Sequence, residues 1–297
     1  MADSNPLEKP ELDLFYSSNR SLVSLVRGVV VRGVFLLGSL LSAGLLLLLP
    51  GVFMVEFGRA VSWTLLRELS PVIGTTFLTA VLGLGFALPL SGAIALGLVL
   101  SPKSTLSKLL RTLLATVSTL PTVVIGYGAF TIITPLLQTL FPARQIESFN
   151  TLSVAIGIAI LITPMVTQGF LKALTRLDPV ALAAATAIGS TWTRTVLTLV
   201  VPTSIRGFVG VGFLAFSRAL GQTMISALAG GIGTFTRLGA GSETLGSFIV
   251  RLGSGVVDGQ SSEYQLLFGA GFLLFCITLG FYLLGLTIDS QVPEGLE

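Results

Sequence analysis

Long runs without a charged residue alternate along this chain with short connectors rich in lysine and arginine. The runs cover Gly33 to Val55, Leu69 to Pro102, Thr112 to Ala143, Ser148 to Leu171, Gly207 to Gly230 and Tyr264 to Ile288, and only Arg218 interrupts any of them. Each is long enough to cross a hydrocarbon layer about 30 Å thick as a helix. None shows the strict two-residue alternation of a barrel strand, and a helix satisfies its own backbone in lipid. The pattern predicts an all-α, polytopic integral membrane protein of about six transmembrane helices.

One element breaks the rhythm. In LDPVALAAATAIGS, Asp178 suits an N-cap, Pro179 suits the first helical turn, and Gly189 suits a left-handed stop. That leaves about ten residues, roughly 15 Å, too short to cross. Ala183, Ala184, Ala185 and Ala187 give the helix a smooth, narrow surface that another protein could grip. The stretch from Thr195 to Ile205, ending near Pro202, is an approach to the fifth span rather than a span.

Composition sharpens this picture by exclusion. Only 10% of the 297 residues are charged, and the mean hydropathy is +0.92. With no histidine and a single cysteine, Cys276, the chain has no internal disulfide, no Cys/His zinc spacing and no histidine acid–base chemistry. The net charge of +3 does not indicate nucleic acid, because the basic residues sit at span ends. With the N-terminus inside, eleven of them fall on the cytoplasmic side (residues 9, 20, 27, 32, 103, 108, 111, 172, 176, 194 and 206) and five outside (59, 67, 144, 237 and 251). That bias predicts both termini in the cytoplasm, and the short helix with them. Residues 1–32 form a polar, then basic, loosely ordered cytoplasmic or interfacial segment without signal-peptide features, 33–288 the transmembrane domain, and 289–297 a cytoplasmic tail. The outer loop 231–263 carries a small apolar island, Leu245 to Val250, expected on or dipping into the membrane surface.

Arg218 is the sharpest chemical signal. A cation near the centre of a membrane helix costs about 2.5–3.5 kcal/mol, so it faces protein or water. Twelve residues from Arg206 place it roughly 18 Å along the helix. Gly221 and Gln222 follow at helical spacing, and the guanidinium fork suits a tetrahedral oxyanion. The plainer reading is an arginine tying helices together, although no acidic residue within a span offers itself as partner. Gly207, Gly210, Gly212 and Gly221 permit close helix packing. Pro121 with Thr122, in STLPTVVIGYG, is a candidate for the path, since a proline inside a span frees carbonyls. No phosphate-binding glycine loop with a lysine occurs, so nucleotide hydrolysis belongs elsewhere.

These motifs resemble those of permease subunits of type I ABC importers, specifically the phosphate-specific transport (Pst) family. Ala183 to Gly189 (AAATAIG) followed by Val201 and Pro202 is similar to that family's cytoplasmic coupling motif, E-A-A-x-A-L-G running on to L-P. Arg218 to Thr223 (RALGQT) is similar to its R-A-x-G-E-T signature, and weaker likenesses extend the resemblance over about residues 71–225. Two acidic positions differ, being Ala183 and Gln222 here. MIS after Thr223 is closer to the C-type of the two paired chains.

The resemblance implies a heteromeric complex in a bacterial inner membrane. Its partners would be a second homologous permease, two ATP-binding subunits that carry ATP and Mg, an extracytoplasmic phosphate-binding protein, phosphate itself and membrane lipid. It implies a substrate path at Arg218, Gly221, Gln222, Thr223, Pro121 and Thr122, and ATPase coupling through Asp178, Pro179, Ala183, Ala184, Ala185, Ala187 and Gly189. This chain would hold no cofactor of its own and would not be an enzyme. Another oxyanion, such as molybdate, tungstate or sulfate, remains open as cargo. A self-contained secondary transporter or channel is the alternative of a different class, although the spans lack the intramembrane acid such proteins usually carry.

Overall fold

A computed structural model describes residues 10–60, 63–176, 179–255 and 261–290. Helices account for the regular structure, and there is no strand among the described residues. Two units are distinguishable, one ending at Met54 and the other beginning at Val55. The first is nearly all α1 (Pro10–Ala60), whose apolar stretch from Arg27 to Gly58 is long enough to span. Here the structure differs from the loose start expected over residues 1–32. Helix begins at Pro10, a residue suited to a first turn, and no further proline occurs before Pro50.

In the second unit the chain runs through α2 (Trp63–Leu100), α3 (Thr105–Thr119), α4 (Thr122–Gly128) and α5 (Thr134–Leu140), with a π-turn, Ala129–Ile133, joining the last two. α6 (Thr151–Thr175), α7 (Pro179–Ala187), α8 (Trp192–Thr195) and α9 (Val201–Thr203) follow, with a second π-turn at Val196–Val200. Then come α10 (Ile205–Leu220), α11 (Met224–Ala229), α12 (Leu245–Gly253) and α13 (Ser262–Ser290). Five helices meet the length and apolarity of a span. A sixth is obtained if the pair 192–203 and 205–220, bent by 61°, counts as one.

α6 is the centre of this unit. Ile162 and Val166 are completely buried, and α2 and α10 pack on its flanks. Since lipid is as apolar as leucine, transfer from water contributes little here, and close van der Waals packing carries the association. The contacts bear this out. A Cβ on Gly83 would meet Ile158 at 2.8 Å, one on Gly169 would meet Val211 at 2.7 Å, and one on Gly207 would meet Ala173 at 2.8 Å. Of the four glycines singled out in the sequence, Gly207 and Gly210 make such approaches. Gly212 faces open space, and Gly221 has only ordinary contacts.

The third span is shorter than its uncharged run. Ser104 caps α3 by accepting the Ser107 amide at 3.1 Å, and α3 ends before Pro121 as a separate amphipathic helix. Thr122 to Leu140 forms the crossing. Pro121 therefore opens α4 rather than kinking a span. Its carbonyl accepts Val124 N at 3.0 Å and Ile125 N at 3.3 Å, and Val117 O, the carbonyl four residues before it, accepts Leu120 N at 3.2 Å instead of being freed. The outer-loop island is also deeper than expected. It forms α12, closed by a capping box between Thr244 and Ser247, with Leu245 and Leu252 buried. Leu245 N reaches Thr76 Oγ1 of α2 at 2.8 Å.

Candidate functional site

Arg218 lies in the last turn of α10, not at the middle of a long helix, because the helix stops at Leu220. Residues 221–223 form a turn before α11. A cation at a helix C-terminus is favoured by the unsatisfied carbonyls there, which lowers the cost assumed for a mid-helix charge. Ala215, Ala219 and Leu220 are buried while Arg218 is exposed, so the amphipathic pattern of α10 turns the guanidinium away from the packed core. It makes no hydrogen bond or ion pair with any described residue.

The turn behind it is tightly closed. Gly221 N donates to Ser217 O and Gln222 N to Ala219 O, both at 3.3 Å. The Gln222 amide donates back to Arg218 O at 3.1 Å. Ser217 Oγ ties the same turn to Thr278 O of α13 at 2.8 Å. Gly221, Gln222 and Thr223 are thus brought together with Arg218, as their spacing suggested, on a turn rather than on one helical face.

Two further elements seat this turn, each through a glycine not singled out in the sequence. Gly126 of α4 lies against α11, where an added Cβ would sit 3.0 Å from Ile225 Cα and 3.1 Å from Met224 O. Backbone meets backbone there, which only glycine allows, and Pro121 and Thr122 lie in the turn of chain just before that contact. From the other side Gly246 of α12 approaches within 2.9 Å of Thr223 Cα by the same measure. Gly246 was missed, although a capping threonine followed by Leu-Gly-Ser marks a helix start with a small residue in its first turn.

At the opposite end of α10 the chain passes through the short alanine helix. Asp178 lies outside the described residues, so its capping role rests on sequence alone; α7 itself begins at Pro179. Gly189 has φ +79°, and Ser190 N donates to Ala185 O at 3.1 Å, closing α7 in a Schellman arrangement. Ala183, Ala184, Ala187 and Gly189 are exposed, Ala185 is half-buried, and Ile188 stands 84% exposed. α7 packs chiefly on α8. From there Thr195 Oγ1 holds Ser190 Oγ at 2.9 Å, and buried Ser204 pins the bend to α6 by donating to Ala173 O at 3.0 Å. One continuous path of backbone therefore links the exposed rod to the turn at Arg218.

Residues 87–291 match the family described as the inner membrane component of binding-protein-dependent transport systems. The chain belongs to this family. It is a membrane permease subunit of an ABC importer and a multi-pass inner-membrane protein. Among its relatives is the phosphate transport system permease protein PstC of Xylella fastidiosa strain 9a5c, 26% identical over 82% of this chain and 83% of that protein. The protein of the same name from Pasteurella multocida is 28% identical over 52% of this chain and 53% of its own length. In three dimensions the permease resembles a chain of the inward-facing MetNI methionine ABC transporter, with a TM-score of 0.60 and 14% identity over 78% of this chain and all of the other. A second crystal form of that transporter gives 0.55. These likenesses establish the type I ABC importer permease fold and set aside the self-contained transporter or channel.

Proposed function

We propose that this permease is one of two paired membrane subunits of an inorganic phosphate importer. The observation that carries the reading is its similarity, over four-fifths of its length, to proteins named as phosphate transport permeases. Arg218 supports it. An exposed guanidinium held at a helix end, without a partner among the described residues, offers paired donors to an oxyanion. Gly221, Gln222 and Thr223 shape the turn that presents it, and Thr122 borders the same region through α4. A single arginine gives a passing anion a stop without trapping it.

In this reading α7 faces the cytoplasm, as do both termini, and is held by an ATP-binding subunit. Closure of the two ATP-binding subunits moves the rod, and α8 and the Ser204 bend carry the movement to α10. A phosphate-binding protein delivers the ion at the far end. The paired chain, two ATPases and binding protein would complete the assembly.

The test is uptake of radiolabelled phosphate by the assembled complex in proteoliposomes. Arg218→Ala removes charge-assisted hydrogen bonds of about 1.5–3 kcal/mol, so uptake falls roughly ten- to a hundredfold while the subunits still co-purify. Unchanged uptake in that variant refutes the role of Arg218. Inhibition by excess molybdate or sulfate equal to that by unlabelled phosphate would reassign the cargo.

A further inference from the structure

Where α2, α3, α6 and α8 meet, at the end of the bundle that carries α7, a cavity of about 450 Å³ opens between the helices. Leu98, Leu171, Leu174 and Val200 give it apolar walls, while Arg111 and Lys172 stand over it. Among the described residues no acidic side chain lines it, and neither cation makes a hydrogen bond or ion pair with any of them. Trp192 stands in the same wall, 45% exposed, with its indole N–H committed to Val99 O at 3.3 Å.

We propose that this cavity binds an anionic phospholipid, with the phosphate between Arg111 and Lys172 and the start of an acyl chain along the leucines. Two unanswered cations without a carboxylate call for an anion, and basic pockets between helices at a membrane face suit lipid headgroups. The walls decide what kind of anion. A free phosphate ion gains nothing from hydrocarbon lining, and an acidic protein segment would bring polar backbone against it, whereas a lipid supplies both parts. Depth agrees, because tryptophan, lysine and arginine together mark the headgroup layer. α3 adds to this, exposing Leu106, Leu109 and Leu113 on the helix that carries Arg111. The site depends on the membrane placement of the family and not on which ion is imported.

Two measurements on the purified full-length chain test it. In native mass spectrometry after delipidation, phosphatidylglycerol should bind the wild type about thirtyfold more tightly than an Arg111→Gln/Lys172→Gln variant. Phosphatidylcholine should show no such difference, and Lys103→Gln, outside the cavity, should match the wild type. In a Trp63→Phe background Trp192 is the sole tryptophan, and brominated phosphatidylglycerol should quench it more than brominated phosphatidylcholine. That contrast decides the matter even if the double variant fails to fold. Equal quenching by the two lipids, equal lipid affinity in a folded double variant, or displacement of the lipid by millimolar inorganic phosphate would each overturn the proposal. So would loss of the bound lipid once the ATP-binding subunit is assembled, which would make the cavity a protein contact.

Discussion

The two ends of the bundle are built on different principles. At the end away from α7, Arg218 apart, many polar side chains are spent on one another. Buried Asn150 accepts Ser153 N at 2.8 Å and donates to Thr134 Oγ1 and Glu147 O, Thr151 meets Ser242 at 2.7 Å, and buried Glu243 holds Arg251 through two contacts of 2.7 and 3.1 Å. Arg237 and the Gly241 amide both reach Glu147. At the α7 end, among the described residues, the ion pair Arg176–Asp289 at 3.0 Å stands beside Arg111 and Lys172, whose side chains have no hydrogen-bond or ion-pair partner, and an alanine rod that packs chiefly on α8. Saturated bonding keeps a shape, and unsatisfied groups wait for a partner. If α7 is held by an ATP-binding subunit as proposed, the fixed frame lies on one side and the moving part on the other.

The contrast can be broken most severely at Asn150. Asn150→Ala removes the α6 cap and leaves buried Thr134 and Ser153 with fewer partners, a loss of about 2–3 kcal/mol. The purified complex should melt about 5 °C lower. No change in melting would mean that the polar network is ornamental.

A smaller effect follows from acid. Glu147 titrates below the ordinary glutamate range because the Gly241 amide and then Arg237 hydrogen-bond its charged form. Its contribution is whole at neutral pH, starts to fade as pH falls below about 4.3, and is gone once pH passes below the depressed folded value. The melting temperature should therefore drop more steeply on acidification in the wild type than in Glu147→Gln. Parallel curves would remove Glu147 from the frame.

The smallest effect on stability is the most informative about the rod. Ala184→Glu, at an exposed position, should change stability by less than about 0.5 kcal/mol and yet lower transport and its coupling to ATP hydrolysis. A variant that still transports normally would show that α7 is not gripped along this face.

Sequence alone revealed the first, second, fourth and sixth spans and the stop of α7, because charge at helix ends and glycine at a left-handed position are local signals, whereas the fifth, read as Gly207 to Gly230, is broken after Leu220. It misread the third crossing, since the apolar half of amphipathic α3 merges with the following span into one uncharged run. Yet Ser104 and Pro121 were both readable as helix starts. Arg218 was legible as a residue but not in its setting, because the turn after Leu220 is seated against Gly126 of α4 and Gly246 of α12, which lie far away along the chain. The pairing of Glu243 with Arg251 left no local trace, since an acid eight residues from an arginine in a loop looks like solvated surface.

The hydrogen bond from Gln222 to the carbonyl of Arg218 has a consequence for charge. An amide can cover the exposed oxygen at a helix end, whereas a carboxylate in its place would be repelled by that oxygen and drawn to the guanidinium. With glutamine the turn keeps a full positive unit, and with glutamate it would be electrically silent. The glutamine therefore leaves this subunit with a standing electrostatic well, where a glutamate would first have to be pulled away from the guanidinium.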